Sequence, residues 1–230
     1  KQTCTKQKHR LSIGHQHKRI KIMEETTFNM HGLFPTPVGQ FELPSLTEEQ
    51  LKFIAGQDTA ANVSNRISSD KNILENKILY SLKSHLEYCL STYYKMGMST
   101  DSNVNLRITQ SWVNYTGANE SHHKHTHANS IISGVYYVQT LGTDTIEFHN
   151  NNGYGKTFQV NTPILTPFNS NLHILTTPPN SAVFFPSELE HSVSIRGVEE
   201  NAPDRISISF NTFYTGAIGF EESANLLILP

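Results

Sequence analysis

The sequence has few cysteines and no long apolar run. Only two cysteines occur in 230 residues, Cys4 and Cys89, and they stand far apart in unlike surroundings. So little cysteine argues against a disulfide framework and predicts a reducing, cytoplasmic setting, which would be the host cytoplasm if the chain is viral. No apolar stretch approaches the ~20 residues that a membrane-spanning helix needs, so we expect no membrane function.

Acidic residues are missing from the first 22 positions. Residues 1–22 carry five Lys, two Arg and three His, which leaves 11 basic against 20 acidic residues in the rest of the chain. A basic arm could neutralise nucleic-acid phosphates. However, it has little apolar periodicity, and we favour a disordered tail or sequence translated upstream of the true start. The acidic body also argues against nucleic acid as a partner.

The remainder, residues 23–230, is long enough for one buried core and too short to require two independent domains. Between residues 45 and 97, apolar residues recur at spacings of three and four, which predicts scaffold helices. From about residue 103 to 215, short alternating runs are separated by Gly, Asn, Pro and Asp, which predicts about eight antiparallel strands. We therefore expect a single α+β domain that is mostly β, with N-terminal scaffold helices.

Four of the 12 histidines fall between Ser121 and His127, immediately before the strand-like run Ile131 to Val138. Alternate side chains of a strand share a face, so His123, His125 and His127 are expected to project together. Imidazole is the commonest side-chain ligand for first-row metals. A site held by one strand needs a further ligand from a distant strand to fix its geometry.

A second polar pattern lies farther along the chain. His191 follows the aromatic run Phe184 to Pro186, and the polar residues between Arg205 and Asn211 share one strand parity while the apolar residues share the other. A polar face inside a sheet costs stability unless a ligand occupies it. A guanidinium matches a carboxylate with two parallel hydrogen bonds, and Ser207 can add a hydroxyl donor. The sequence thus predicts a metal site beside a carboxylate site.

The order of these motifs resembles that of the iron(II)- and 2-oxoglutarate-dependent oxygenases, within the group common in phages and marine bacteria. The motifs are H-x-H at positions 125–127, S-G-V-Y-Y-V at 133–138, F-P-x-x-x-x-H at 185–191 and R-x-S-x-S-x-N at 205–211. The resemblance covers Trp112 to Tyr214. It implies a double-stranded β-helix (a cupin-like jelly roll) that uses Fe(II), dioxygen and 2-oxoglutarate as co-substrate.

By motif position, the resemblance also assigns roles to individual residues. His125 and His127 would be the first pair of iron ligands, and His191 the distal ligand. Arg205 would bind the far carboxylate of 2-oxoglutarate, with Ser207 as its partner. Two more residues are candidates for contact with the co-substrate: Asn114, which could instead contact the substrate, and Tyr137, which could instead be a core aromatic.

The sequence departs from the usual pattern at position 127. Most members of the superfamily have Asp or Glu two residues after the first His, and the imidazole of His127 makes the iron site more positive by one charge. Three interpretations are open: a three-histidine iron site, which we favour; a site completed by 2-oxoglutarate and water; or a different metal. Asp144, Glu147 and Glu190 are weaker candidates for a displaced carboxylate ligand. His122 and His123 are expected to lie near the site, facing the substrate or in a loop.

The expected activity is a non-haem iron oxygenase that couples decarboxylation of 2-oxoglutarate to hydroxylation of a C–H bond. The substrate could be a small molecule or a protein, selected by the loops at residues 116–124 and 150–170. The alternative is a cupin-like metal-binding or structural domain without oxygenase activity. That domain would need the histidines but neither Arg205 nor Ser207. The sequence does not determine the substrate or the oligomeric state.

Overall fold

The computed structural model describes residues 20–22, 26–98, 104–150 and 164–230. It divides into two compact units, residues 1–35 and 36–230. In the first unit, β1 (Ile20–Ile22) pairs with β2 (Thr26–Phe28) in an antiparallel hairpin. Most of the predicted basic tail lies outside the described residues, so its disorder stays a prediction.

The second unit begins with a strand and a helical layer. After β3 (Gly39–Glu42) come α1 (Glu48–Ala55) and α2 (Tyr80–Met98), with two short 3-10 turns immediately before α2. The Thr47 side chain caps α1 by accepting a hydrogen bond from the backbone of Gln50, whose own side chain accepts one from the backbone of Thr47. Both helices fall within the predicted scaffold. No helix of the described residues is long and apolar enough to cross a membrane.

The predicted helical stretch is not helical throughout. Between the two helices, β4 (Thr59–Ala61) and β5 (Arg66–Ser68) form a hairpin, and β5 pairs with the long strand β6 (Val104–Thr116). These two strands have only three residues each, too few for a period-2 pattern to be recognised in the sequence. Pairing with β6 supplies the backbone hydrogen bonds that such short strands need.

The remaining strands complete two antiparallel sheets. In chain order they are β7 (His122–His125), β8 (Ile132–Gln139), β9 (Thr145–His149), β10 (Leu172–Thr176), β11 (Ser181–Pro186), β12 (His191–Val193), β13 (Arg205–Ile218) and β14 (Leu227–Leu229). The major sheet has the order β3-β11-β8-β13-β6-β5-β4, with β14 also paired to β13. The minor sheet has the order β10-β9-β12-β7.

The major sheet separates two hydrophobic cores. Tyr136 of β8 belongs to the core that contains the buried residues of the helices, such as Leu86. Its neighbour Tyr137 belongs to the other core, together with Ile146 and Phe148 of the minor sheet. Successive strand residues face opposite sides, so one strand supplies both cores. Helices on one face and a second antiparallel sheet on the other confirm the predicted mostly β fold with scaffold helices, of the double-stranded β-helix type.

Gly134 of the S-G-V-Y-Y-V motif allows a close approach between strands. A Cβ atom on Gly134 would lie 2.1 Å from the ring of Phe210, its partner on β13. The Phe210 ring fills this space and belongs to the helix-side core. Because alternation then turns Ser209 and Asn211 the other way, the polar residues of β13 face the minor sheet.

Candidate metal centre and adjacent pocket

Three histidines meet between the two sheets. His125 ends β7, His127 follows two residues later, and His191 begins β12, where it pairs with His125. Their ligand-forming nitrogens lie within 4.8 Å of one another, and Nε2 of His127 is 3.3 Å from Nε2 of His191. Among the described residues, no other group of at least three His, Cys, Asp or Glu side chains has this geometry.

The opposite nitrogen of each ring bonds to an oxygen. Nδ1 of His125 donates to the His123 carbonyl at 2.7 Å, Nδ1 of His127 to Oδ1 of Asn211 at 2.7 Å, and Nδ1 of His191 to the Leu189 carbonyl at 3.0 Å. These oxygens can only accept, so each Nδ1 carries the proton and each Nε2 keeps its lone pair. Such outer hydrogen bonds fix the tautomer and orientation of metal-binding histidines. Three converging lone pairs fit a cation.

The protonation state of the cluster also suits a metal. Burial lowers the pKa of His191 to about 3 and that of His127 to about 4, and it lowers the pKa of His125 as well. The neighbouring His125 adds to the lowering at both other rings. The imidazoles are therefore neutral at neutral pH, and neutral imidazole is the form that binds a metal ion.

The three carboxylates considered as displaced ligands have other partners. Asp144 accepts from Nε and Nη2 of Arg196 at 2.8 and 3.1 Å, Glu147 accepts from the hydroxyls of Ser192 and Ser194, and Glu190 forms an ion pair with Lys124 at 2.9 Å. None of them belongs to the histidine group. The described residues therefore offer no carboxylate in place of the His127 imidazole.

A fourth histidine reaches the same pocket through a strand irregularity. On β7, His125 pairs with His191 but His122 pairs with Val193. A separation of three residues on β7 therefore lies opposite a separation of two residues on β12. This bulge breaks strict alternation, and the rings of His122 and His125 stack with centroids 4.6 Å apart. His123, predicted to project with His125 and His127, is exposed and does not line the pocket. No hydrophobic pattern marks such a bulge in a strand made of His and Lys.

The pocket continues from the histidines onto the polar face of the major sheet. Ser207 pairs with Asn114 on β6 and with Tyr137 on β8, so these three side chains face the same way. Arg205 is buried beside them, with 4% of its surface exposed; its Nη1 donates to the Thr145 carbonyl at 3.1 Å. The guanidinium carbon lies 5.2 Å from the centre of the Tyr137 ring. The four residues expected to bind the co-substrate therefore lie together.

Three buried polar atoms of this pocket have no hydrogen-bond partner: Nε of Arg205, the hydroxyl of Tyr137 and Oδ1 of Asn114. Asn114 donates from Nδ2 to the Ser209 hydroxyl at 2.9 Å, which orients its amide. Burial raises the pKa of Tyr137 to about 12, and the nearby Arg205 opposes this rise, so the hydroxyl keeps its proton. Each unpaired buried polar atom costs about 1–3 kcal/mol. Nε of Arg205 and the hydroxyl of Tyr137 are donors beside a guanidinium charge, so they fit an anion that accepts from both, whereas Oδ1 of Asn114 is an acceptor and needs a donor from another group.

Comparison with known proteins agrees with this geometry. Residues 110–211, which include every candidate ligand named above, match a family model described as "Putative 2OG-Fe(II) oxygenase". No curated protein matches the chain in sequence.

Solved structures share the fold at low sequence identity. The non-heme alpha ketoglutarate dependent carbocyclase SnoK from nogalamycin biosynthesis has a TM-score of 0.52 and 10% identity, covering 79% of this chain and 82% of that one. The epimerase SnoN from the same biosynthesis has a TM-score of 0.50 and 12% identity, covering 77% and 80%. HygX from Streptomyces hygroscopicus, with nickel and 2-oxoglutarate bound, has a TM-score of 0.50 and 11% identity, covering 77% and 82%.

Proposed function

We propose that this chain, whose residues 110–211 match the family model described as "Putative 2OG-Fe(II) oxygenase", binds Fe(II) through His125, His127 and His191 and oxidises its substrate at the expense of 2-oxoglutarate. Bound Fe(II) would supply the activation of dioxygen that couples decarboxylation of the co-substrate to hydroxylation of a C–H bond. The observation that carries the proposal is the histidine cluster, in which three Nε2 lone pairs converge and every Nδ1 donates to an oxygen.

The three-histidine interpretation is favoured over the other two. His127 is held as firmly as His191, because Asn211 accepts from its Nδ1 at 2.7 Å and Trp112 stacks on its ring with centroids 5.9 Å apart. A histidine outside the coordination shell would have no need of a deprotonated Nε2 facing His191. A neutral imidazole therefore stands where most members of the superfamily have a carboxylate. With the same metal bound, this site would be more positive by one charge than the usual site.

Arg205 is suited to bind the far carboxylate of 2-oxoglutarate. Its Nη1 already donates to the Thr145 carbonyl, and its buried Nε has no partner, so Nε can donate to a carboxylate of the ligand. The Ser207 and Tyr137 hydroxyls can donate to the same ligand, and Asn114, the β6 partner of Ser207, lines the same pocket. These residues orient the co-substrate, and Val135 and Ile146 add apolar surface to the pocket lining.

The alternative, a metal-binding or structural domain without oxygenase activity, accounts for the histidines only. It leaves the two unpaired donors of the pocket, Nε of Arg205 and the hydroxyl of Tyr137, without a function. For the oxygenase we propose a reducing setting, because the buried Cys89 is a free thiol. The cytoplasmic location itself stays a prediction.

The experiment that tests the proposal is uncoupled turnover. Protein purified without oxygen is loaded with Fe(II), and succinate formation from 2-oxoglutarate is followed after air is admitted, without any other substrate. We expect slow succinate formation that needs both iron and 2-oxoglutarate. Protein that holds iron, yet neither binds 2-oxoglutarate nor forms succinate, would instead be the metal-binding domain.

A further inference from the structure

A second groove lies on the same face of the major sheet, one residue pair beyond the Arg205 pocket. It has a volume of about 280 Å³ and is lined by Ile67, Lys71, Gln110, Trp112 and Asn211. Small-molecule sites occupy about 300–1,000 Å³, so the groove is near the lower end of that range. It can hold a compact molecule, and none of the co-substrate residues lines it.

The groove adjoins the candidate metal centre. Trp112 stacks on the His127 ring at an interplanar angle of 25°, and Asn211 accepts the hydrogen bond from Nδ1 of His127. On β6, the next residue that faces the same side is Asn114, which lines the Arg205 pocket. A molecule in the groove would therefore lie against Trp112 and Asn211, the two residues that contact His127, beside the co-substrate pocket.

Lys71 is fixed at the edge of this groove. Its carbonyl accepts a hydrogen bond from the Ser111 backbone at 2.8 Å, and the Ser111 hydroxyl accepts one from the Leu74 backbone at 3.0 Å. Its ammonium donates to the Ser68 carbonyl at 2.5 Å, which uses one of three protons. None of the ion pairs found among the described residues involves Lys71. The neighbouring Asp70 carboxylate acts on this ammonium without forming an ion pair with it, and two of the three ammonium protons remain for a ligand.

Two neutral donors accompany the ammonium. Oε1 of Gln110 accepts from Asn211 at 3.4 Å, so the amide nitrogen of Gln110 points its protons elsewhere. The indole N–H of Trp112 can only donate, and no side chain or carbonyl of the described residues accepts from it. The Ile67 side chain and the indole ring supply apolar walls. The groove thus combines one cation, two N–H donors and an apolar surface.

We infer that this groove binds the prime substrate, and that the substrate is a small molecule with an apolar body and a single carboxylate held by Lys71, Gln110 and Trp112. One ammonium and two neutral donors match one negative charge and two acceptor oxygens, whereas a phosphate dianion would leave one charge without a partner. The catalytic meaning of this inference rests on the proposed function, since only an oxygenase would act on a molecule beside the histidines.

The single tryptophan gives a direct measurement. Trp112 is the only Trp in the chain, so the indole N–H gives one resonance in a ¹⁵N–¹H NMR spectrum. Protein loaded with Zn(II) and 2-oxoglutarate is titrated with a panel of small aliphatic and aromatic carboxylates, each paired with its primary amide. We expect at least one carboxylate to shift this resonance to saturation, while its amide, which has the same shape without the charge, binds at least about tenfold more weakly.

Two lysine variants separate a specific contact from a general loss of positive charge. Lys71→Gln is expected to weaken binding of the carboxylate about tenfold and to leave binding of the amide unchanged. Lys52→Gln removes the same charge from the exposed surface of α1 and is expected to change neither. Equal binding of acid and amide, no effect of Lys71→Gln, or no shift with any carboxylate would overturn the inference.

The same samples distinguish this inference from the proposed function. Binding of Zn(II) and of 2-oxoglutarate is measured before each titration, and titrations are repeated on the metal-free protein. Carboxylate binding without metal or 2-oxoglutarate binding would retain the groove as a site and reject the oxygenase. Metal and 2-oxoglutarate binding without any carboxylate shift would reject the groove alone. A carboxylate that binds must also accelerate succinate formation by the Fe(II) protein; a bound carboxylate that does not would reject its role as substrate.

Discussion

Nε2 of His127 and Nε2 of His191 lie 3.3 Å apart, and neither carries a proton that could bond to the other. Two lone pairs at this distance repel each other. This unfavourable repulsion is offset when a cation binds between them. The cluster is therefore preorganised: Asn211 and two carbonyl oxygens hold the rings in place before a ligand arrives. This relationship leads to the first two predictions.

The first prediction concerns the identity of the metal ligands. His127→Ala and His191→Ala are expected to lower the affinity for Fe(II) or Zn(II) by at least about 100-fold, measured by metal analysis and competition with a chelator. His127→Asp restores the carboxylate usual at this position and is expected to keep the metal. The exposed His173→Ala on β10 is the control. Full metal content in His127→Ala would show that this imidazole lies outside the coordination shell.

The second prediction is a loss of stability of the metal-free protein in mild acid. The folded-state pKa values of His191 and His127, about 3 and about 4, lie below the ordinary value of 6.5. Between the folded-state and unfolded-state pKa values, the unfolded chain therefore binds more protons than the folded protein. The contribution of these two histidines to the free energy of unfolding is complete above about pH 6.5 and is lost as the pH falls towards 4. The free energy of unfolding, measured with urea, should decrease over this range. His191→Asn should make the decrease shallower, and an unchanged slope would contradict the assignment.

The third prediction concerns the co-substrate. Arg205→Met removes a buried guanidinium from the pocket and is expected to raise the Kd for 2-oxoglutarate about 100-fold, while metal content is retained. Ser207→Ala removes one hydroxyl donor and should raise it by less, about fivefold to tenfold. Arg107→Met, on the exposed side of β6, is the control. If circular dichroism shows that Arg205→Met is misfolded, Ser207→Ala still tests the prediction. Unchanged affinity of that variant for 2-oxoglutarate would reject this end of the pocket as the binding site.

The fourth prediction separates a structural ion pair from the metal centre. The side chains of Asp144 and Arg196 are only 2% and 1% exposed, so Asp144→Ala leaves a buried charge without its partner and should cost about 3–5 kcal/mol of stability. Asp204→Ala breaks the exposed pair with Arg66 and should cost about 1 kcal/mol or less. Both variants should bind the metal like the parent protein. Loss of metal from folded Asp144→Ala would restore Asp144 as a candidate ligand.

Much of the β architecture was predictable because the period of a strand is visible in sequence. The alternation from Arg205 to Asn211 predicted a strand with one polar face, and the structure turns that face towards the pocket. The spacing of apolar residues likewise predicted the helix that is now α2. The hairpin of β4 and β5 was not predicted, because strands of three residues depend on a neighbour for their hydrogen bonds.

The candidate site divides in the same way. By itself, the sequence predicted that His125 and His127 come from one strand and that His191 and Arg205 come from two others, since parity and order are local properties of the chain; the structure ends the first strand at His125 and places His127 two residues beyond it. Only the tertiary structure decided that His122 replaces His123 at the pocket, because a bulge is set by the pairing of two strands. Only the tertiary structure also decided that Lys71 and Trp112 line one groove beside His127, because residues distant in the sequence come together when the sheet assembles.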